Sequence, residues 1–164
     1  MEIAHGSSVR IRQAQPEDAR AIADVHLAAR RAAAPAIPPP LLDDEATLAH
    51  FATEVLPNAA VWVIDDAATG IVAFMSVTHG LIGHLHVHPD RCRQGHGAVL
   101  LDLAKAMEAQ LDVWTFGGDE GVRRFFARHG FVEVDRAEGA HVTGVPDLRL
   151  RWTRPATPPL HPTL

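Results

Sequence analysis

The order of extended and helical patterns along the chain predicts one α/β domain in which helices cover a mixed sheet. Short runs rich in β-branched and aromatic residues recur through the middle of the chain. Apolar residues at helical spacing separate them, and proline or glycine marks most boundaries. No internal repeat or second-domain linker interrupts this pattern. Residues 1–154 therefore read as one domain, and the proline-rich 155–164 as a loose tail.

Taken in order, Val9-Arg10-Ile11-Arg12 alternates apolar and charged residues, as a half-buried strand does. Pro16-Glu17-Asp18 suits a helix start, because proline fits the first turn and acidic side chains favour its positive end. Ile22, Val25 and Ala29 continue the helix, which should fade after Ala34, where Pro35 and Pro38-Pro39-Pro40 give an extended loop. A second helix should start near Asp43-Asp44-Glu45, carry Leu48, Phe51, Val55 and Leu56 on one face, and stop before Pro57. Val61–Ile64 and Ile71–Met75 read as strands flanking the turn-like Asp65–Gly70, and Leu85–His88 as a third strand ended by Pro89-Asp90. Ala98–Met107 is a strong helix and Leu111–Phe116 a strand. Asp119 is placed to cap a short helix through Arg128, which Gly130 ends. Phe131–Val134 and Leu148–Trp152 complete the order β-α-α-β-β-β-α-β-α-β-β.

Bulk properties narrow the function. A chain of 164 residues, 47% hydrophobic and 21% charged, can bury a core without metals or disulfides. No apolar run approaches the ~18 residues that span a bilayer, and the N-terminus lacks a signal-peptide pattern. Cys92, the only cysteine, has no internal partner, which suits a reducing cytoplasm. A net charge of −5 without a Lys/Arg block argues against general nucleic-acid binding. Eleven histidines are present, yet no His-Glu-x-x-His or Cys-x-x-Cys spacing marks a metal site.

The segment from Val87 to Leu101 carries the most chemistry. A strand ends, a loop with Gly95 and Gly97 follows, and a helix begins at once. Glycines let backbone N–H groups turn toward an anion, and a helix N-terminus adds partial positive charge. This arrangement suits a pyrophosphate; the same glycines also fit a plain strand-to-helix turn. The third glycine of a dinucleotide fingerprint and the Gly-Lys-Ser/Thr of a P-loop are both missing.

Val87-His88-Pro89-Asp90-Arg91-Cys92-Arg93-Gln94-Gly95-His96-Gly97-Ala98-Val99-Leu100-Leu101 resembles the acetyl-CoA motif of the GNAT superfamily (GCN5-related N-acetyltransferases). That motif reads Val-x-Pro, Gln/Arg-x-x-Gly-x-Gly/Ala and a helical Leu-Leu pair. Asp119-Glu120-Gly121-Val122-Arg123-Arg124-Phe125-Phe126-Ala127-Arg128-His129-Gly130-Phe131 is similar to a second family pattern, Asn-x-x-Ala-x-x-Phe-Tyr-x-x-x-Gly-Phe. The strand before it and the closing Pro146–Trp152 look like the matching family strands, so the resemblance runs from Val9 to Trp152. It implies a mostly antiparallel sheet of six or seven strands, splayed between the fourth and fifth and flanked by about four helices. It also implies acetyl-CoA as co-substrate, with Leu85 and Val87 pairing to the pantetheine arm. Arg93, Gln94, Gly95, His96, Gly97 and Ala98 would cradle the pyrophosphate, and Asp119 and Phe126 would border the cofactor. The implied reaction is N-acetylation of a primary amine on a small molecule or protein by direct attack, in an enzyme without nucleic-acid or membrane partners that often forms homodimers.

Three departures from the family pattern bear on mechanism. Cys92 stands where Gln or Arg is usual, flanked by Arg91 and Arg93, at the phosphate end rather than the thioester end. Phe126 stands where relatives place a proton-donating tyrosine, and this chain has no tyrosine. Asp119 replaces an asparagine, either as a pantetheine partner or as a helix cap. His84 and His86 share a strand face with His88 and are the catalytic candidates, either as bases or as groups that orient the substrate. His129 should meet helix-terminal carbonyls; His5, His26, His50 and His161 read as surface residues, and Trp62, Trp114 and Trp152 as core. The acceptor site is expected among Pro35–Leu42, the second helix and Ala137–Pro146. Asp43, Asp44, Glu45 and Glu54 would either attract an amine or form a solvated face. Two other classes compete: a degenerate GNAT domain that senses acyl-CoA, and a histidine-based metal protein.

Overall fold

Strand β1 (Val9–Gln13) begins the computed structural model, which describes residues 8–137 and 146–157. A 3-10 turn at Pro16–Asp18 leads into α1 (Ala19–Ala32), and the Asp18 carboxylate accepts from the Gln15 backbone N–H at 2.7 Å. Helix α2 (Asp44–His50) starts where Asp43 accepts from the Ala46 N–H at 2.8 Å. It continues through a π-helical turn, Phe51–Val55, into the single turn α3 (Leu56–Asn58). The expected stop before Pro57 comes later: the helix runs unbroken through the π-helical turn, where the Leu56 N–H reaches Phe51 O, and takes Pro57 into its last turn before ending at Asn58.

Next come β2 (Ala60–Asp66), β3 (Gly70–Thr78) and β4 (Leu81–Val87), then α4 (His96–Met107), β5 (Gln110–Thr115), α5 (Glu120–Arg128), β6 (Val132–Arg136) and β7 (Leu148–Thr153). The seven strands form one sheet in the order β1-β2-β3-β4-β5-β7-β6, and all neighbours are antiparallel except β4 and β5. Strand β4 starts at Leu81, earlier than the sequence pattern suggests. Its pairing with β3 shifts at Ser76/Val77, opposite Gly83, and that bulge breaks the alternation by which a strand is read.

Alternation along β3 divides the core between the two faces. Phe74 points toward α1 and α2 with Ile22, Val25, Phe51 and Val63, while Met75 points toward α4 and α5 with Leu100, Leu101, Leu111 and Phe126. The β5–β7 half is tied on its far face by Asp112. Its buried carboxylate accepts from Arg149 and from Arg151, whose Nε lies 2.8 Å away. Hydrogen bonds from Arg151, then from Arg149, hold the Asp112 carboxyl below its ordinary pKa.

That depressed pKa stabilises the fold above the unfolded carboxyl value, and the contribution disappears as pH falls through the lower folded value. Asp112→Asn is expected to cost about 1–2 kcal/mol at neutral pH in urea unfolding, modest because both arginines keep about a third of their surface in water. The variant's acid unfolding limb should be correspondingly shallower.

Candidate functional site

The loop before α4 is built to expose amides. After β4, Pro89–Arg91 makes a 3-10 turn, and Arg93 (φ 63°) and Gly95 (φ 82°) both adopt left-handed conformations. Alternation of this kind turns successive N–H groups to one side, and Gly95 holds its conformation without the steric cost of a Cβ. The first bond of α4 runs from Val99 N–H to Gly95 O at 3.0 Å, which leaves the preceding amides at the helix start open to an anion. At Gly97 an added Cβ would make ordinary contact with the Phe125 ring at 3.4 Å, so α4 and α5 pack closely there.

The loop's side chains differ from the sequence expectation in one respect. Arg91 is committed to structure: it pairs with the buried Asp66 carboxylate at 2.9 Å and reaches Thr69 Oγ1 and Gln94 Oε1. Arg93 remains exposed at the loop surface. His96 is buried, and burial followed by the nearby Arg91 charge lowers its pKa. Cys92 is exposed, with Sγ 3.6 Å from the His88 carbonyl, on the loop and away from the groove described next.

That groove comes from a divergence in the sheet. Strands β4 and β5 pair only at Leu81↔Asp112 and Ile82↔Val113, then separate. His88 N–H donates to Val72 O at 2.8 Å, so strand alternation turns the peptide groups of Leu85 and Val87 away from β3, toward the opening. A cavity of ≈ 280 Å³ occupies the opening, lined by Gly83, His84, Leu85 and His86 on one side and by Val113–Phe116, Asp119 and Phe126 on the other. Asp119 is the N-cap of α5, accepting from Val122 N–H at 3.1 Å, and it also lines the groove. Phe126 is almost fully buried, with its ring 5.0 Å from that of Phe131.

His84 and His86 meet a third histidine. The His26 ring on α1 lies 5.6 Å from His84 and 4.9 Å from His86, with Phe51 and Phe74 beneath. His84 Nδ1 is 2.8 Å from the buried Ser76 hydroxyl, while His26 Nδ1 is buried with no hydrogen-bond partner among the described residues. Each ring keeps a little accessible edge because it lines the groove, yet protein atoms surround it closely enough to strip most of its hydration. Burial is the main cause that pushes His26 down to about 4 and His84 down to about 3, and it holds His86 well below the usual histidine range. Neighbouring histidines and Arg30 add to each shift. All three are neutral at pH 7. Among the described residues, no three His, Cys, Asp or Glu side chains converge to hold a metal ion.

Because these histidines bind protons in the unfolded chain before they do in the fold, they destabilise the protein as pH drops from about 6.5 toward 4. In His84→Gln, the fall of the melting temperature across that window should be visibly reduced; a slope equal to that of the unaltered protein would show that His84 titrates normally.

A second chamber of ≈ 230 Å³ adjoins the groove and shares His26, Arg30, His84 and Phe116 with it. Its outer wall is Pro40, Leu41, Leu42, Thr47, His50 and Phe51, from the expected proline loop and second helix. The remainder of the expected wall, 138–145, lies outside the described residues, as do His5 and His161.

Two residues outside the candidates read from the sequence line the site: His26, which reads as a surface residue, and Arg30. The signal was present: His26 is one helical turn beyond the fully buried Ile22, and Arg30 one turn beyond His26, so all three share the face turned to the sheet. His129 behaves as expected, with Nδ1 2.7 Å from the Phe125 carbonyl.

Comparison with known proteins agrees with this architecture. The family profile described as an acetyltransferase (GNAT) domain matches residues 57–133. Apo YjaB from Escherichia coli has a TM-score of 0.68 at 21% identity over 92% of this chain and 99% of its own. A GCN5-related N-acetyltransferase from Rhodopseudomonas palustris gives 0.67 at 22% identity, over 90% of this chain and 96% of its own. The PaiA N-acetyltransferase of Thermoplasma acidophilum, in complex with coenzyme A, gives 0.66 at 14% identity over 89% and 99% of the two chains. No curated protein matches the sequence. The chain is a GNAT-fold protein, and its central segment carries the signature of the acetyltransferase (GNAT) domain. Among the described residues no helix is long and apolar enough to cross a membrane.

Proposed function

We propose that this protein is an acetyl-CoA-dependent N-acetyltransferase that acts on a primary amine. The observation that carries this reading is the divergence of β4 from β5 beside the amide-bearing start of α4. The residues present fit the donor: open amides of Arg93–Ala98 suit a pyrophosphate, and the outward peptide groups of Leu85 and Val87 suit an amide-bearing arm laid alongside β4. Asp119 and Phe126 border the inner end of that path.

Bound acetyl-CoA supplies a thioester carbonyl open to attack by an amine. The chain's own residues set the conditions around it. His26, His84 and His86 present neutral imidazoles to the groove, able to accept a hydrogen bond from an incoming amine and keep its lone pair directed inward. With conjugate acids at about 4 and about 3, His26 and His84 are weak bases, so their role is to orient an amine that is already neutral. The same desolvation favours the uncharged form of the acceptor. Phe126 has no proton to give, so the departing thiolate takes its proton from the attacking amine or from water.

Calorimetric titration with acetyl-CoA, followed by a thiol-release screen of amines, tests the reading. Binding in the micromolar range, about 8 kcal/mol, together with release of thiol in the presence of an amine is expected. Binding without turnover of any amine would instead support a GNAT domain that senses acyl-CoA, the reading that the absence of tyrosine favours.

A further inference from the structure

We infer that the acceptor amine carries a carboxylate, as an amino acid does, and that Arg30 is the residue that selects it; this rests on the acetyl-transfer reading above. Arg30 lines both the groove and the adjoining chamber. One Nη donates to the Pro38 carbonyl at 2.8 Å, and the guanidinium lies 5.4 Å from the centre of the Phe116 ring. Among the described residues its buried Nε has no partner and no carboxylate pairs with it. A half-buried cation without a counter-ion among the described residues is costly, and burial accordingly lowers its affinity for the proton. An anionic ligand entering the chamber offsets that cost with a charge-assisted hydrogen bond.

The acidic residues that would instead draw a plain cationic amine are engaged elsewhere. Asp43 caps α2, and Asp44 pairs with Arg31 at 2.5 Å. Asp44 and Glu45 line a different cleft with Arg20 and Asp24, and Glu54 is exposed outside both chambers. Asp119 is the one carboxylate lining the groove among the described residues; it serves as the α5 cap and does not line the outer chamber.

The geometry accommodates an amino acid in one orientation. His26 and Arg30 are neighbours on one face of α1, so an amine placed at the histidines leaves a carboxylate two bonds away within reach of the guanidinium. The side chain then faces the outer wall, where Leu41, Leu42 and Phe51 stand beside Thr47 and His50, a mostly apolar surface that favours hydrophobic over charged amino acids.

The probes are L-leucine and L-phenylalanine, each against its decarboxylated amine, 3-methylbutylamine and 2-phenylethylamine. Binding to the full chain is followed by ligand-observed NMR, with and without coenzyme A, alongside thiol release with acetyl-CoA. The amino acids are expected to bind about ten- to a hundredfold more tightly than their amines, the scale of one charge-assisted contact. In Arg30→Gln that ratio should collapse toward one through a rise in KM, whereas Arg30→Lys, which keeps the charge, should restore part of it. Amines that bind as well as the amino acids, a preference that survives in Arg30→Gln, or no binding by either set at millimolar concentration would overturn the inference. Failure of the function reading looks different: amino acids bind with the expected preference, but acetyl-CoA is neither bound nor consumed.

Discussion

Gly97→Trp is expected to lower acetyl-CoA affinity at least about a hundredfold, some 2.7 kcal/mol, while the protein remains folded. A Cβ at Gly97 would already touch the Phe125 ring at 3.4 Å and Val87 Cγ2 at 3.9 Å, so nothing larger finds room on that side. An indole must therefore project outward over the amides at the start of α4, where the pyrophosphate is proposed to lie. Calorimetry reads the affinity, and circular dichroism with a melting curve reads the fold. Gly95→Ala is the companion variant. Nothing lies within 4 Å of its added Cβ, so its only direct cost is the left-handed backbone, on the order of 1 kcal/mol of stability. If Gly97→Trp keeps wild-type affinity in a folded protein, the loop is a turn and nothing more.

Phe74→Ala carries the largest expected cost in stability, about 3–5 kcal/mol in urea unfolding. Phe74 has no exposed surface and sits beneath the site, its ring 5.5 Å from Phe51, 5.9 Å from His84 and 5.6 Å from His86. Removing it leaves a cavity under the histidines. Water entering there would restore hydration to the imidazolium forms, and the His84 pKa should climb from about 3 toward the ordinary histidine value. Two-dimensional NMR titration of the ring protons separates this effect from simple loss of packing. Phe74→Leu keeps most of the volume and should lose less stability. A variant in which stability falls but His84 still titrates near 3 would show that the depression comes from the other histidines and Arg30 rather than from the dry floor.

The element order was legible in the sequence because each element announces itself locally. The alternation of Val9–Arg12 and Leu148–Trp152, the capping aspartates Asp43 and Asp119, and Gly130 at the end of α5 all depend on neighbours within a few positions. The loop before α4 was legible for the same reason, since a strand, two glycines and a helix are contiguous. Local reading failed at Gly83 and Pro57. A bulge depends on the partner strand, and a proline's effect depends on which turn of which helix receives it.

Sequence alone therefore determined the fold class, the strand order along the chain and the glycine-bearing loop that starts α4. Tertiary structure decided how the site is furnished. Packing of α1 across β4 brought His26 and Arg30 against His84 and His86 from nearly sixty residues away, and no local pattern encodes that meeting. It also withdrew Arg91 into a buried pair with Asp66 and turned Asp44 to Arg31, charges that the sequence leaves free to serve a ligand. The physical reason is common to all of these: secondary structure answers to short-range backbone geometry, whereas the hydration, pKa and partners of a charged side chain depend on whatever the fold packs around it.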